Sequence, residues 1–242
     1  MPLAVVIPTF DEAETIGPLL DALLGGGADR VVIVVDDGSP DGTAALARAR
    51  GARVMERSGK QGLASAYVAG LGLALELGLD PIIQMDADLS HDPADLPRLL
   101  AALQAGADLA LGSRYVPGGG TRNWGLGRRL LSRLGCAYAQ AWLRTPVADL
   151  TGGFKAWRAE TLRRVGLPTV HSRGYAFQVE TTARALSAGA RVVEVPILFT
   201  ERRAGASKMS RQIALEAALI VPRVALSLRA GPGQRPGARG SR

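Results

Sequence analysis

The stretch Arg30-Val31-Val32-Ile33-Val34-Val35 is apolar at odd and even positions alike. A strand built from it must be covered on both faces, the condition met in a parallel sheet flanked by helices. The segments around it repeat that demand. Leu3 to Ile7 is a short β-branched run and Thr15 to Leu24 has helical spacing. Thr43 to Arg50 predicts a helix, Arg53 to Met55 a short strand, and Gly62 to Leu77 another helix. Ile82 to Met85 reads as a strand, Pro93 to Gln104 as a helix with proline in its first turn, and Asp108 to Gly112 as a strand. A β-α alternation over residues 1–115 implies an open, mostly parallel α/β sheet with helices on both faces.

In such sheets ligands bind beyond the carboxyl ends of the strands. Three acidic segments sit at that place: Phe10-Asp11-Glu12, Asp36-Asp37 and Asp86-Ala87-Asp88 each follow a predicted strand, so they are expected at one rim. Gln84 to Pro93 (QMDADLSHDP) packs three carboxylates into seven positions, which requires a compensating positive charge. Two Asp separated by one residue suit a hard divalent cation, Mg²⁺ or Mn²⁺, with coordination positions left for a substrate diphosphate. The same residues also serve a simpler purpose, with Ser90 or Asp92 capping the helix that begins at Pro93. The turn Asp36 to Thr43 (DDGSPDGT) closes a buried strand; two adjacent acids there are costly unless one reaches a ligand such as a base edge or a ribose hydroxyl. Neither glycine-rich phosphate fingerprint follows this strand or the first.

Composition narrows the partners. A chain of 242 residues, 47% hydrophobic, suits one globular domain with a small extension. Net charge is +7 with 29 Lys and Arg, but only 5% of residues are aromatic and the basic residues form no long runs, which argues against a single-strand nucleic-acid platform. Cys136 is the sole cysteine, so neither an internal disulfide nor a cysteine metal cluster is available. The N-terminus has no basic lead-in and meets Asp11, Glu12 and Glu14 at once, so we expect no signal peptide and a cytoplasmic protein.

The chain resembles the glycosyltransferases of family 2, with the GT-A fold, and within them the branch that makes polyprenyl or dolichyl phosphate mannose. The resemblance is carried by VVIPTFDEAETI, VVDDGSPDGT, QMDADLSHDP, LGSRYVPGG, DLTGGFKAWR, GYAFQVE and VVEVPILFTERRAGASKM. It implies that Pro8, Phe10, Glu12, Val35 and Asp37 line a nucleotide pocket, and that Asp86, Ala87, Asp88 and Ser90 handle diphosphate, metal and sugar, the metal falling to Asp86, Asp88 and Ser90. This chain has Phe10-Asp11 where the family often has Tyr-Asn, and Ser90 where some relatives have Gln.

Beyond Gly112 arginines gather around a predicted helix from Leu126 to Leu143. On it Arg128 and Ser132 share a face, and with Arg114 at the preceding strand end they are placed to grip one phosphate; the resemblance assigns that phosphate to the lipid acceptor and makes Arg114 a donor contact as well. Asp86, Asp88, Arg114 and Arg128 are thus the expected catalytic set. A lipid monophosphate is already anionic near neutral pH, so no general base is called for. Glu194 to Phe199 reads as one strand, and the following basic loop contains Arg202 and Lys208, which by resemblance close over the diphosphate. Gly174 to Glu180 begins a helix, with Glu180 facing either the sugar or the core.

The apolar stretch Ile213 to Leu228 is interrupted by Glu216, Pro222 and Arg223 and is too short to span a bilayer. Its periodicity fits an amphipathic helix at a membrane surface and, equally, one packed on the domain. The Gly-, Pro- and Arg-rich tail from Arg229 to Arg242 is expected to be disordered and to favour anionic lipid. The expected division is therefore a catalytic domain at 1–210, an amphipathic helix at 211–228 and a basic tail at 229–242. The expected reaction moves mannose from GDP-mannose to a polyprenyl phosphate with inversion, at the cytoplasmic face of a membrane, with or without an anchoring protein and without nucleic acid. UDP-glucose as donor, and a non-catalytic nucleotide-sugar or nucleic-acid binding module, are the rival readings.

Overall fold

The computed structural model describes residues 2–25, 30–170, 172, 174–201 and 211–229, without the side chains of 175 and 211–218. The β-α alternation is present: β1 (Leu3–Thr9), α1 (Ala13–Leu24), β2 (Arg30–Asp36), α2 (Thr43–Ala49), β3 (Arg53–Glu56), α3 (Leu63–Glu76), β4 (Ile82–Gln84), α4 (Leu96–Gln104) and β5 (Leu109–Ser113). Asp92 caps the 3₁₀ turn Pro93–Asp95 ahead of α4, its carboxylate accepting from the Ala94 N–H at 2.9 Å. The second half adds β6 (Gly120–Arg122), α5 (Leu126–Leu143), β7 (Lys155–Trp157), α6 (Ala159–Val165), α7 (Gly174–Ser187), β8 (Val192–Pro196), β9 (Leu198–Thr200) and α8 (Arg211–Arg229).

Seven strands form one sheet in the order β3-β2-β1-β4-β7-β5-β8. All pairings are parallel except those of β7, which runs antiparallel to both β4 and β5. Every residue of β1 is buried, and its side chains divide between two cores: Leu3, Val5 and Ile7 pack with α1 and α4, while Ala4 and Val6 pack toward α3 and α7. Gly70 lets α3 approach the sheet, because a Cβ there would stand 2.5 Å from Val6 and 2.8 Å from Val35. The chain leaves β1 toward β2 and β3, then returns to add β4 on β1's other side. Phe10-Asp11-Glu12 and Asp86-Ala87-Asp88 consequently flank the crevice where strand order reverses.

One expectation about the second half is corrected, and of the two readings of the C-terminal helix the packed one describes its inner face. Residues 194–199 are not one strand: Pro196 ends β8, Ile197 turns the chain, and β9 leaves the main sheet to pair with β6. The C-terminal helix is docked on α5 and α7, with Val221, Val224 and Ala225 buried, so its inner face belongs to the domain. No helix among the described residues is long and apolar enough to cross a membrane.

β7 places a charged residue in the middle of the sheet. Lys155 is fully buried, and its ammonium donates to the Gln178 carbonyl (2.9 Å) and to Thr181 Oγ1 (3.2 Å). Burial lowers its pKa from 10.5 to about 7. The unfolded chain therefore binds more protons than the folded one between pH 7 and 10.5, and stability rises with pH across that window. Urea titrations should show wild type gaining on Lys155→Met between pH 7 and pH 10; parallel curves would mean that Lys155 keeps its proton when folded.

Candidate active site

A cavity of about 270 Å³ opens at the carboxyl ends of the central strands. It gathers Asp86 and Asp88 from the loop after β4, Arg114 from the end of β5, and Arg128 and Ser132 from α5. Five of the residues singled out from sequence thus share one space.

The loop after β4 is held in an unusual shape. Leu89 has φ 58°, a left-handed conformation that costs a bulky residue about 1 kcal/mol or more. This turn lets the Ser90 N–H reach Asp88 Oδ1 at 3.0 Å. Asp88 and Ser90 are buried, and Ser90 Oγ has no hydrogen-bond partner. Asp86 is more open: Tyr67 on α3, itself fully buried, donates to its Oδ1 at 2.6 Å and fixes the carboxylate. Gly153 allows this packing, since a Cβ there would lie 3.3 Å from Asp86 Oδ2 and 3.6 Å from His91.

His91 also lines the cavity. Its ring stacks on Phe154 and is met edge-on by Phe199, and burial pushes its pKa down although Asp86 and Asp88 pull the other way. Nδ1 is 3.9 Å from Asp86 Oδ2 but accepts, at 3.4 Å, from the Asp86 N–H. Burial thus favours the neutral ring, with Nδ1 turned to the Asp86 N–H.

Opposite lies the basic half. Arg114 is gripped by Asp149, whose Oδ2 accepts from Nε at 2.7 Å and whose Oδ1 accepts from Nη2 at 2.6 Å, while Thr151 takes a further bond from Nη2. Burial opposes the charge on this guanidinium, but the field and hydrogen bonds of Asp149 outweigh it and raise its pKa. Arg128 donates to Glu201 and lies 4.2 Å from the Trp124 ring centroid, and its buried Nε has no acceptor. Ser132 Oγ accepts from the Tyr115 hydroxyl at 2.6 Å. Leu131, Ala139, Val179 and Val221 make the remaining wall apolar.

The residues expected on the nucleotide side stand at the neighbouring strand ends. Pro8 and Val35 are paired in register and buried; the Val35 side chain belongs to the core beneath α3. Phe10 is half-buried with the Lys60 ammonium 4.0 Å from its ring centroid, and Glu12 accepts from Thr15. Both acids of the Asp36-Asp37 pair have partners within the chain. Asp36 accepts from Thr9 and Ser39, while Asp37 pairs with Arg57 and accepts from the Gln61 and Gly62 N–H groups. Glu180 bonds within the core, to Ser172 N–H and Arg184. Arg202 and Lys208 lie outside the described residues.

The chain has known relatives. Residues 4–166 match the family described as "Glycosyl transferase family 2". The chain belongs to that family. It is accordingly a glycosyltransferase, and its fold is GT-A. A polyprenol monophosphomannose synthase of Mycolicibacterium smegmatis is 47% identical over 213 residues, covering 85% of this chain and 80% of that protein. An undecaprenyl-phosphate mannosyltransferase of Micrococcus luteus is 44% identical over 234 residues, covering 95% and 96%. The family 2 fold is shared with glucosyl-3-phosphoglycerate synthase of Mycobacterium tuberculosis, solved with Mn²⁺, UDP and glucosyl-3-phosphoglycerate: TM-score 0.69, 22% identity, coverage 96% of this chain and 81% of that one.

Sequence reasoning did not single out Tyr67, Asp149 or Gln178, nor place His91 in the cavity. Tyr67 sits within an apolar helix and Asp149 lies 35 residues from the arginine it holds. The DLTGGFKAWR motif that contains Asp149 was the available signal.

Proposed function

We propose that this family 2 enzyme transfers mannose from GDP-mannose to a polyprenyl phosphate with inversion at the anomeric carbon. The observation that carries the reading is the single cavity in which a carboxylate pair faces two arginines and a serine across apolar walls. The names of both mannosyltransferase relatives agree with it.

The acidic side fits a divalent cation. Among the described residues no cluster of three or more His, Cys, Asp or Glu is set to enclose a metal. Asp86 and Asp88 therefore suit an ion that takes one or two carboxylates and completes its shell with substrate phosphates and water, the habit of Mg²⁺ and Mn²⁺. The unpartnered Ser90 Oγ is a further oxygen for that shell, directly or through water. Bound there, the cation would neutralise the charge of the departing diphosphate. Tyr67 holds Asp86 in one orientation for this purpose.

Pro8, Phe10, Glu12, Val35, Asp37 and Ala87 form the nucleotide side in this reading, Val35 through its backbone, and Arg202 and Lys208 close over the diphosphate. Arg128, with Ser132 and Arg114, holds the acceptor phosphate in line with the sugar. The phosphate carries its own negative charge, so neutral His91 need not act as a base. Attack from the face opposite the leaving group inverts the α-linked donor to a β-linked product. The lipid acceptor places the enzyme on the cytoplasmic face of a membrane, alone or with an anchoring protein, and the expected catalytic domain ends near residue 210.

Arg128→Ala should raise the KM for polyprenyl phosphate about 10- to 100-fold, the worth of one charge-assisted hydrogen bond, with a smaller change in the donor KM. Steady-state kinetics with each substrate varied in turn checks this. A larger effect on the donor would move the acceptor phosphate elsewhere.

A further inference from the structure

Between the carboxylate pair and the arginines, the cavity wall has a notch that no side chain fills. Gly153, just ahead of β7, lines the cavity together with Asp86, His91 and Gln178. A methyl carbon on Gly153 would stand 3.3 Å from Asp86 Oδ2, 3.5 Å from Gln178 Nε2 and 3.6 Å from His91 Cε1. The Gly153 backbone lies outside the left-handed region, so its conformation alone does not demand glycine. What the missing Cβ leaves is space among polar groups.

Those groups are fixed and of opposite kind. Gln178, on α7, is buried; its Oε1 accepts from Gln84 Nε2 at 2.6 Å, and its backbone carbonyl accepts from Lys155 Nζ at 2.9 Å. The amide is thereby turned with Nε2 to the notch, where no acceptor among the described residues takes its protons. The reverse orientation would set Gln178 Oε1 near the Asp86 carboxylate, two acceptors facing each other. Asp86 is held from its other side, Tyr67 donating to Oδ1 while Oδ2 borders the notch.

An anionic acceptor and a neutral donor converging on one point select what lies there. A phosphate oxygen would meet the carboxylate, and a cation would meet the amide protons. A hydroxyl suits both, donating to Asp86 Oδ2 while accepting from Gln178 Nε2. Position narrows the choice. Pro8 and Val35, on the proposed nucleotide side, stand on β1 and β2, whereas β7 lies beyond β4, next to the strand that ends at Arg114. A hydroxyl beside Gly153 therefore belongs to the hexose rather than to the ribose.

We propose that Gln178 is a specificity-determining residue, its Nε2 and Asp86 Oδ2 clamping one hydroxyl of the donor hexose in the space that Gly153 leaves. A carboxylate oxygen has more than one lone pair, so this contact is compatible with a cation on Asp86. The proposal rests on the sugar-transfer reading and adds to it the groups that read the sugar.

Calorimetry, with Mg²⁺ and no acceptor, gives dissociation constants for GDP, GDP-mannose and the analogues of GDP-mannose that each lack one hexose hydroxyl. UDP, UDP-glucose and the corresponding deoxy analogues form a second series. Wild type should bind one deoxy analogue about 10- to 100-fold more weakly than its parent, because the loss leaves buried polar groups unpaired. Gln178→Met should weaken the parent until the two bind alike, with the free nucleotide bound as by wild type. Gly153→Ala, which keeps Gln178 and its bond to Gln84, should do the same by filling the notch. Equal binding of every analogue by wild type, or discrimination that survives both substitutions, would overturn the proposal. So would equal losses for the free nucleotide and the nucleotide sugar, the mark of a merely structural role. Discrimination confined to the UDP-glucose series would support the clamp and overturn GDP-mannose as donor, and binding of neither nucleotide sugar would overturn both.

Discussion

Asp88→Asn is expected to lower kcat for sugar transfer about 10³-fold, the scale seen when one group stabilising developing charge is removed. The substitution keeps the shape of the side chain and an oxygen to accept from the Ser90 N–H, so the turn through Leu89 should survive. Melting temperature and circular dichroism should stay at wild-type values while Mg²⁺ or Mn²⁺ affinity, read by calorimetry with GDP present, falls in parallel with activity. Retained turnover would remove Asp88 from the reaction. Retained metal affinity with lost turnover would confine its part to orienting the diphosphate.

The second large effect lies in the fold beneath the basic half of the cavity. Asp149 is fully buried and accepts three hydrogen bonds from Arg114, from the backbone N–H, Nε and Nη2. Asp149→Ala leaves a guanidinium uncompensated in the interior, at a cost of about 3–5 kcal/mol. For a chain of this length that is a fall in melting temperature on the order of 10 °C. The double variant Arg114→Met/Asp149→Leu removes both charges and should recover much of the lost stability, because a buried pair contributes less than breaking it costs. Equal losses in the single and double variants would mean that Asp149 serves the fold through its backbone surroundings rather than through Arg114. The pair presents Arg114 to the cavity as a positioned, half-neutralised donor, while Arg128 is the arginine of the cavity lining with a buried N–H that lacks an acceptor.

The first half of the fold was legible because its signals are local. Val31 to Val35 needs cover on both faces whatever surrounds it, and in the second half α5, equally local, runs over the Leu126–Leu143 range that its spacing predicts. The Asp86/Asp88 loop was legible for the same reason, being a short run of like charge at a strand end. β7 was not: it has three residues, begins with a lysine, and exists because β4 and β5 leave a gap for it to fill. The partners of Asp36 and Asp37 were not legible either. Adjacent acids at a buried strand end do need compensation, but Thr9, Ser39 and Arg57 supply it from within the chain, and only the tertiary structure shows that. The strand expected at 194–199 divides because Ile197 passes it from one sheet to another, a change without a signature in a run of apolar residues. Tyr67 reads as one more core aromatic until α3 is packed on the sheet and its hydroxyl meets Asp86.

The central claim, mannosyl transfer from GDP-mannose to a lipid phosphate at the Asp86/Asp88 end of the cavity, is met most directly by a transfer assay. Labelled GDP-mannose and labelled UDP-glucose are each incubated with the protein, polyprenyl phosphate and Mg²⁺ or Mn²⁺, and the organic-extractable label is counted with and without EDTA. The account predicts label in the lipid from GDP-mannose alone, abolished by EDTA. Label from UDP-glucose alone, or transfer from GDP-mannose that EDTA leaves untouched, would contradict it.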